Sequence, residues 1–192
     1  GIRDHERLVG SEMCIRDSDT AIRQAAKDDK FYLVEGAPDA MQLKRIRVNN
    51  AVAPLGGAWT ESQMEQFKKY ATKVCFLPDA DPPNFEKGEK LGAGIRNTMR
   101  NGLLAMKSGL GVSVKELPLG EAQSKNDPDT YCTSIQKFQE LKEVDFIPWY
   151  AQHIFQDVNT TEERSDAINT ISAMVVTVSY THLRAHETLM NL

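Results

Sequence analysis

The sequence predicts an α/β fold, a parallel sheet flanked by helices and followed by a short helical appendage. Two observations predict it. Short apolar runs, Phe31 to Glu35, Ala51 to Leu55 and Lys73 to Leu77, alternate with amphipathic stretches of helical length, and strand–helix alternation implies a largely parallel sheet. The first run also stops at Glu35 and Gly36, and the third stops just before Asp79 and Asp81. Buried strands that end on carboxylates deliver ligands to the carboxyl edge of such a sheet, where α/β folds place their sites.

Residues 20–29 read as the tail of a helix and 31–35 as the first strand. Pro38 suits the first turn of a helix running through Val48, with Asp39 near its positive end. The second strand, 51–55, is closed by Gly56 and Gly57. Thr60 is a natural N-cap for a helix to Tyr70, and Gln63 holds the capping-box position. The third strand is 73–77. A loop punctuated by Pro and Gly follows Asp81 and leads to a long helix from about Glu89 to Lys107. Residues 111–117 alternate like a strand, and a polar loop over 118–130 precedes helices near 131–142, 146–157 and 160–175.

Clustered carboxylates repel one another unless a positive charge lies between them. A hard divalent cation such as Mg²⁺, which takes oxygen ligands, is the simplest partner for Glu35, Asp79 and Asp81. The plainer alternative for each is a solvated loop carboxylate or a helix cap. The net charge of −4 excludes the global basic character of an autonomous nucleic-acid binder. The sequence shows neither a signal peptide nor an apolar stretch of bilayer length, so no membrane partner and a cytoplasmic location are expected.

The two ends are related in an unusual way. Residues 8–18 can be encoded by a DNA string whose reverse complement encodes residues 177–187. A folded protein has no physical reason for antisense termini, whereas DNA with one adapter joined to both ends does. The string also resembles a transposase-type sequencing adapter. Residues 1–18 and 178–192 are therefore expected to be adapter-derived, non-native segments outside the fold. This sets aside His5, Cys14, His182 and His186, which leaves Cys75, Cys132 and His153 and no zinc ligand set. Two isolated cysteines read as reduced thiols, with a disulfide between them as the alternative.

Four motifs now stand in register: Glu35 to Asp39; Val52 to Gly56 with Thr60 to Gln63; Asp79-Ala80-Asp81; and Asn126 to Asp129. Their order and spacing resemble the TOPRIM domain, and more narrowly the TOPRIM domain of bacterial-type DNA primases. The likeness covers about residues 30–130, so the expected organisation is a TOPRIM domain with a preceding helix tail over 19–130 and a helical post-TOPRIM region over 131–177. The stretch Leu117 to Gly120 ahead of Asp127 and Asp129 is similar to the strand and acidic loop of primases. Two departures stand out. Residues 82–91 intervene before Gly92-Ala93-Gly94, which resembles phage and mobile-element proteins. The third acidic residue of type IA topoisomerases is replaced by Pro83. The zinc-binding and amino-terminal polymerase portions of primases are not in the chain, so the resemblance implies a fragment of a longer protein.

The resemblance implies synthesis of short RNA primers on a single-stranded DNA template from ribonucleoside triphosphates, with Mg²⁺ or Mn²⁺ and a replicative helicase as partners. Asp79 and Asp81 would be metal ligands, Glu35 a further ligand or the general acid/base, and Asp127 and Asp129 would complete a second ion's shell. A metal-dependent nuclease of the TOPRIM type and a noncatalytic binding module for nucleic acid or helicase remain the alternatives. Gly56-Gly57 and Gly92 to Gly94 are candidate phosphate cradles. Lys87, Lys90, Arg96 and Arg100 are candidate backbone contacts or a solvated face. Trp59 is a base-stacking candidate or a packing residue, and Trp149, Tyr150 and His153 read as helix packing.

Overall fold

Helical return paths make the first four strands parallel neighbours. The computed structural model describes residues 18–54, 58–156 and 158–190. Along the chain α1 (Ser18–Asp28) leads into β1 (Lys30–Leu33), α2 (Ala37–Arg45), β2 (Ala51–Val52) and α3 (Glu61–Phe67). Then follow β3 (Lys73–Phe76), α4 (Ala93–Lys107) and β4 (Gly111–Lys115). The short α5 (Pro128–Tyr131) and α6 (Ile135–Glu140) precede β5 (Glu143–Asp145), α7 (Phe146–Phe155) and α8 (Thr161–Met190).

The sheet order is β2-β1-β3-β4-β5. β1 lies parallel to both β2 and β3, β3 parallel to β4, and β5 closes the edge antiparallel to β4. The chain steps from β1 to one side for β2, then crosses to the other side for β3. The carboxyl ends of β1 and β3 therefore flank a topological switch point, the crevice in which open α/β sheets bind ligands.

Both faces of the sheet are covered, which is why the strands read as continuous apolar runs. Phe31, Leu33, Val74, Phe76 and Val114 pack with Phe67, Ala105, Phe146 and Trp149 on one face. Val34 and Leu77 join Leu43, Cys132 and Phe138 on the other. Phe31 and Phe67 bring their ring centroids to 4.7 Å. Fully burying such side chains stabilises by about 1.5–3 kcal/mol each. From α8, Ala167 and Met174 are buried, where the helix packs on α4 and α7.

The Thr60 capping box forms as expected, with the Gln63 N–H donating to Thr60 Oγ1 at 3.3 Å and the Thr60 N–H donating to Gln63 Oε1 at 2.8 Å. Several features differ from expectation, among them α2, which ends at Arg45 rather than Val48, and α4, which starts at Ala93 rather than near Glu89. β5 is not among the expected strands, because Glu143-Val144-Asp145 lacks an apolar pattern; it pairs antiparallel with β4, and Glu143 also accepts from Lys30 Nζ at 2.7 Å and Ser113 Oγ at 2.6 Å. The helix expected over 131–142 is two helices, the second restarted by Ser134, whose hydroxyl accepts from the Lys137 N–H. α8 continues beyond residue 175 to Met190. Gly56 and Gly57 lie outside the described residues. Cys75 and Cys132 are buried free thiols, so the disulfide alternative falls. Among the described residues, no helix is long and apolar enough to cross a membrane.

Candidate metal centre

Three chain segments bring acidic residues to the switch point. Glu35 stands two residues past β1, and Asp79 and Asp81 lie just past β3. The third segment is pinned there by a single antiparallel bridge, in which Ala80 and Asn126 exchange backbone hydrogen bonds of 2.8 and 3.0 Å. Antiparallel pairing sets Asp79 opposite Asp127 and Asp81 opposite Lys125. Residues two apart share a face of extended chain, so these four side chains project together. They meet on one cation: Lys125 Nζ lies 2.9 Å from Asp79 Oδ2, 3.1 Å from Asp127 Oδ1 and 3.5 Å from Asp81 Oδ1.

The N-terminus of α4 braces the pair. The Gly94 N–H donates to Asp81 Oδ2 at 3.1 Å, which places that carboxylate at the positive end of a 15-residue helix. A Cβ on Gly92 would run into the Asp81 carbonyl oxygen, and one on Gly94 into that of Asp79. The two glycines serve the close approach of helix to strand end, and this accounts for them without a phosphate cradle.

Electrostatics reflect the crowding. Burial, followed by the neighbouring Asp79 and Asp81, pushes the Glu35 carboxyl up to about 7, against a hydrogen bond from Asn97 and the charge of Lys125. Burial also raises Asp79, and with Asp127 and Asp81 nearby it outweighs the Lys125 ammonium. Lys125 is held well above its ordinary range, chiefly by its hydrogen bond to Asp79. Glu35 Oε1 and Asp79 Oδ1 are buried without a hydrogen-bond partner. Buried carboxylate oxygens with unused lone pairs, in an all-oxygen donor set, fit a hard divalent cation.

One of the expected ligands stands apart from the others. Asp129 is exposed and its Oδ1 accepts from Thr130 Oγ1 at 3.1 Å. What reaches inward is its backbone N–H, which donates to Asp39 Oδ1. Asp39 is buried and also caps α2 by accepting the Gly36 N–H at 2.9 Å, with burial and then Asp79 raising its carboxyl to about 6. Among the described residues no three His, Cys, Asp or Glu side chains converge as a ready-made metal-ligand group. The carboxylates converge on Lys125 in its place.

Sequence reasoning passed over Lys125, Asn97 and the linking role of Asp39. A signal for Lys125 existed: it stands two residues before Asp127, and extended residues two apart share a face. Of the other candidates, Arg96 is paired with Glu89 at 2.8 Å, and Trp59 is buried against Phe67 with ring centroids at 5.5 Å. Trp149 and His153 pack together and both bond Glu116 Oε2, at 2.6 and 3.1 Å.

Carboxylates from the ends of β1 and β3 thus line a switch-point crevice, the place where open α/β sheets bind ligands. Residues 32–132 match the Toprim-like family, and the chain belongs to it. A DNA primase of Clostridium acetobutylicum is 30% identical over 141 residues, which cover 71% of this chain and 21% of the relative. The chain thus spans about one fifth of that relative's length. The E. coli primase catalytic core superposes with a TM-score of 0.63 at 19% identity, covering 82% of this chain and 50% of that one. The RNA polymerase domain of Mycobacterium tuberculosis primase, solved with double-stranded DNA, gives 0.59 at 17% identity, covering 94% and 56%. These structural likenesses show the fold.

Proposed function

We propose that this chain is the metal-binding catalytic TOPRIM portion of a DNA primase, which synthesises short RNA primers on single-stranded DNA during replication. The observation that carries the reading is the convergence of Asp79, Asp81 and Asp127 on one cation beside the half-buried Glu35, at the switch point of a Toprim-like sheet. Glu35, Asp79, Asp81 and Asp127 would hold Mg²⁺ or Mn²⁺, and the ion would neutralise the incoming triphosphate and acidify the attacking 3′-hydroxyl. Glu35, whose carboxyl titrates near neutrality, suits proton transfer as well as ligation. Asp129 serves as an anchor for the acidic loop through its backbone.

The partners of this reading are the DNA template, ribonucleoside triphosphates and a replicative helicase, in the cytoplasm. The insertion over 82–91 favours a phage or mobile-element origin. With 19 basic and 22 acidic residues over 19–177, the chain has little surface to neutralise template phosphates. By itself it therefore binds metal and makes no primer. Residues 1–18 and 178–192 are read as translated adapter on their antisense relationship.

The test is primer formation on single-stranded template by the full-length parent, with its Glu35→Gln form alongside. The parent should synthesise primer with Mg²⁺ or Mn²⁺, and the Glu35 form should bind template yet make none. Normal synthesis by that form removes Glu35 from the mechanism, and template cleavage in place of primer assigns the site to a nuclease.

A further inference from the structure

We propose that Lys125 is a tethered cation that holds the acidic site together without metal, so that a divalent ion loads by exchange with its ammonium. The inference rests on the metal-binding reading above and adds a residue that sets metal affinity.

Its position is built into the backbone. The Ala80–Asn126 bridge sets residue 125 across from Asp81 and diagonal to Asp79, so the lysine stem starts at the rim of the site. From there one ammonium contacts Asp79, Asp81 and Asp127 within 3.5 Å. Three carboxylates this close require a counter-charge, and Lys125 supplies it from within the chain.

The same position excludes a second cation. A divalent ion shared by Asp79, Asp81 and Asp127 would occupy the space of the ammonium, and the two charges repel steeply at that separation. The geometry also leaves an exit. The Lys125 side chain is 50% exposed while that of Asp79 is 12% exposed, so the lysine has solvent to move into and the carboxylate has little. A flexible four-carbon stem lets the ammonium swing to solvent with the Ala80–Asn126 bridge intact. The carboxylates are thereby kept gathered without metal, at the cost of a lower apparent metal affinity.

The experiment uses the whole 192-residue chain and its Lys125→Met and Lys125→Gln forms, titrated with Mn²⁺ alone and melted with and without Mg²⁺. Both variants should bind Mn²⁺ about tenfold or more tightly than the parent chain. Without metal both should melt below the parent, and saturating Mg²⁺ should remove that deficit. Adding Asp127→Asn to Lys125→Met should restore part of the metal-free melting temperature, because a repelling charge is gone. Parent-like or weaker Mn²⁺ binding by both variants, with the parent binding normally, overturns the exchange and spares the metal site. Absence of Mn²⁺ binding by all forms, parent included, removes both readings.

Discussion

Asp39 accepts a hydrogen bond from the backbone N–H of Asp129 at 3.2 Å, across 90 residues of chain. Its other oxygen caps α2 through Gly36, so one buried carboxylate joins the end of β1 to the acidic loop. Replacing Asp39 with Ala should lower stability by about 1–2 kcal/mol, the usual worth of a lost cap with an orphaned N–H beside it. Mn²⁺ affinity should fall too, because the loop that presents Asp127 loses its anchor. Urea unfolding and Mn²⁺ titration check the two effects separately.

The α4 start should tolerate no side chain at Gly94. A methyl group there would drive the helix off the Asp79 carbonyl, and such overpacking typically costs about 1–3 kcal/mol. Thermal melting of Gly94→Ala measures the loss. An unchanged melting temperature would show that the close approach is dispensable.

Asp79 and Asp81 carry the metal reading most directly. Converting both to Asn keeps their size and removes two charges, so divalent binding should disappear. Calorimetric titration with Mn²⁺ decides it, and unchanged affinity in the double variant would sink the assignment.

A pH dependence follows from Glu116. Burial works to raise its carboxyl, but hydrogen bonds from His153 and Trp149 prevail and hold it below the ordinary glutamate value of 4.5. A depressed folded-state value means the carboxylate stabilises the fold above pH ~4.5, and this contribution is lost as pH falls through the lower folded value. The side chain is 40% exposed, so the effect is modest. The melting difference between the parent chain and Glu116→Gln should be largest near pH 7 and shrink below pH ~4.5. A difference that stays constant with pH would point to shape alone.

The proposed adapter origin of the ends makes a further prediction. Removing 1–18 and 178–192 should leave the core's melting temperature unaltered, and a large loss would show that those segments are part of the fold.

Local chemistry made most of the architecture legible in the sequence. Phe31 to Val34 and Val74 to Leu77 are apolar on both faces because helices cover both sides of the sheet, and their endings place Glu35 and Asp79 at the switch point. Thr60 with Gln63 announced a helix start because a capping box is a contact over three residues. Tertiary structure alone decided the rest. β5 exists because it pairs with β4, where Lys30 and Ser113 also meet Glu143 in contacts over 113 and 30 residues that no periodicity encodes. Asp129 resembled a ligand in its motif, yet the turn into α5 sends its carboxylate to solvent and its N–H to Asp39. Lys125 joins the carboxylates only because Asn126 pairs with Ala80, and pairing register is a property of the folded chain. Sequence spacing thus determined which residues reach the switch point, and cross-chain register decided which charges face one another there.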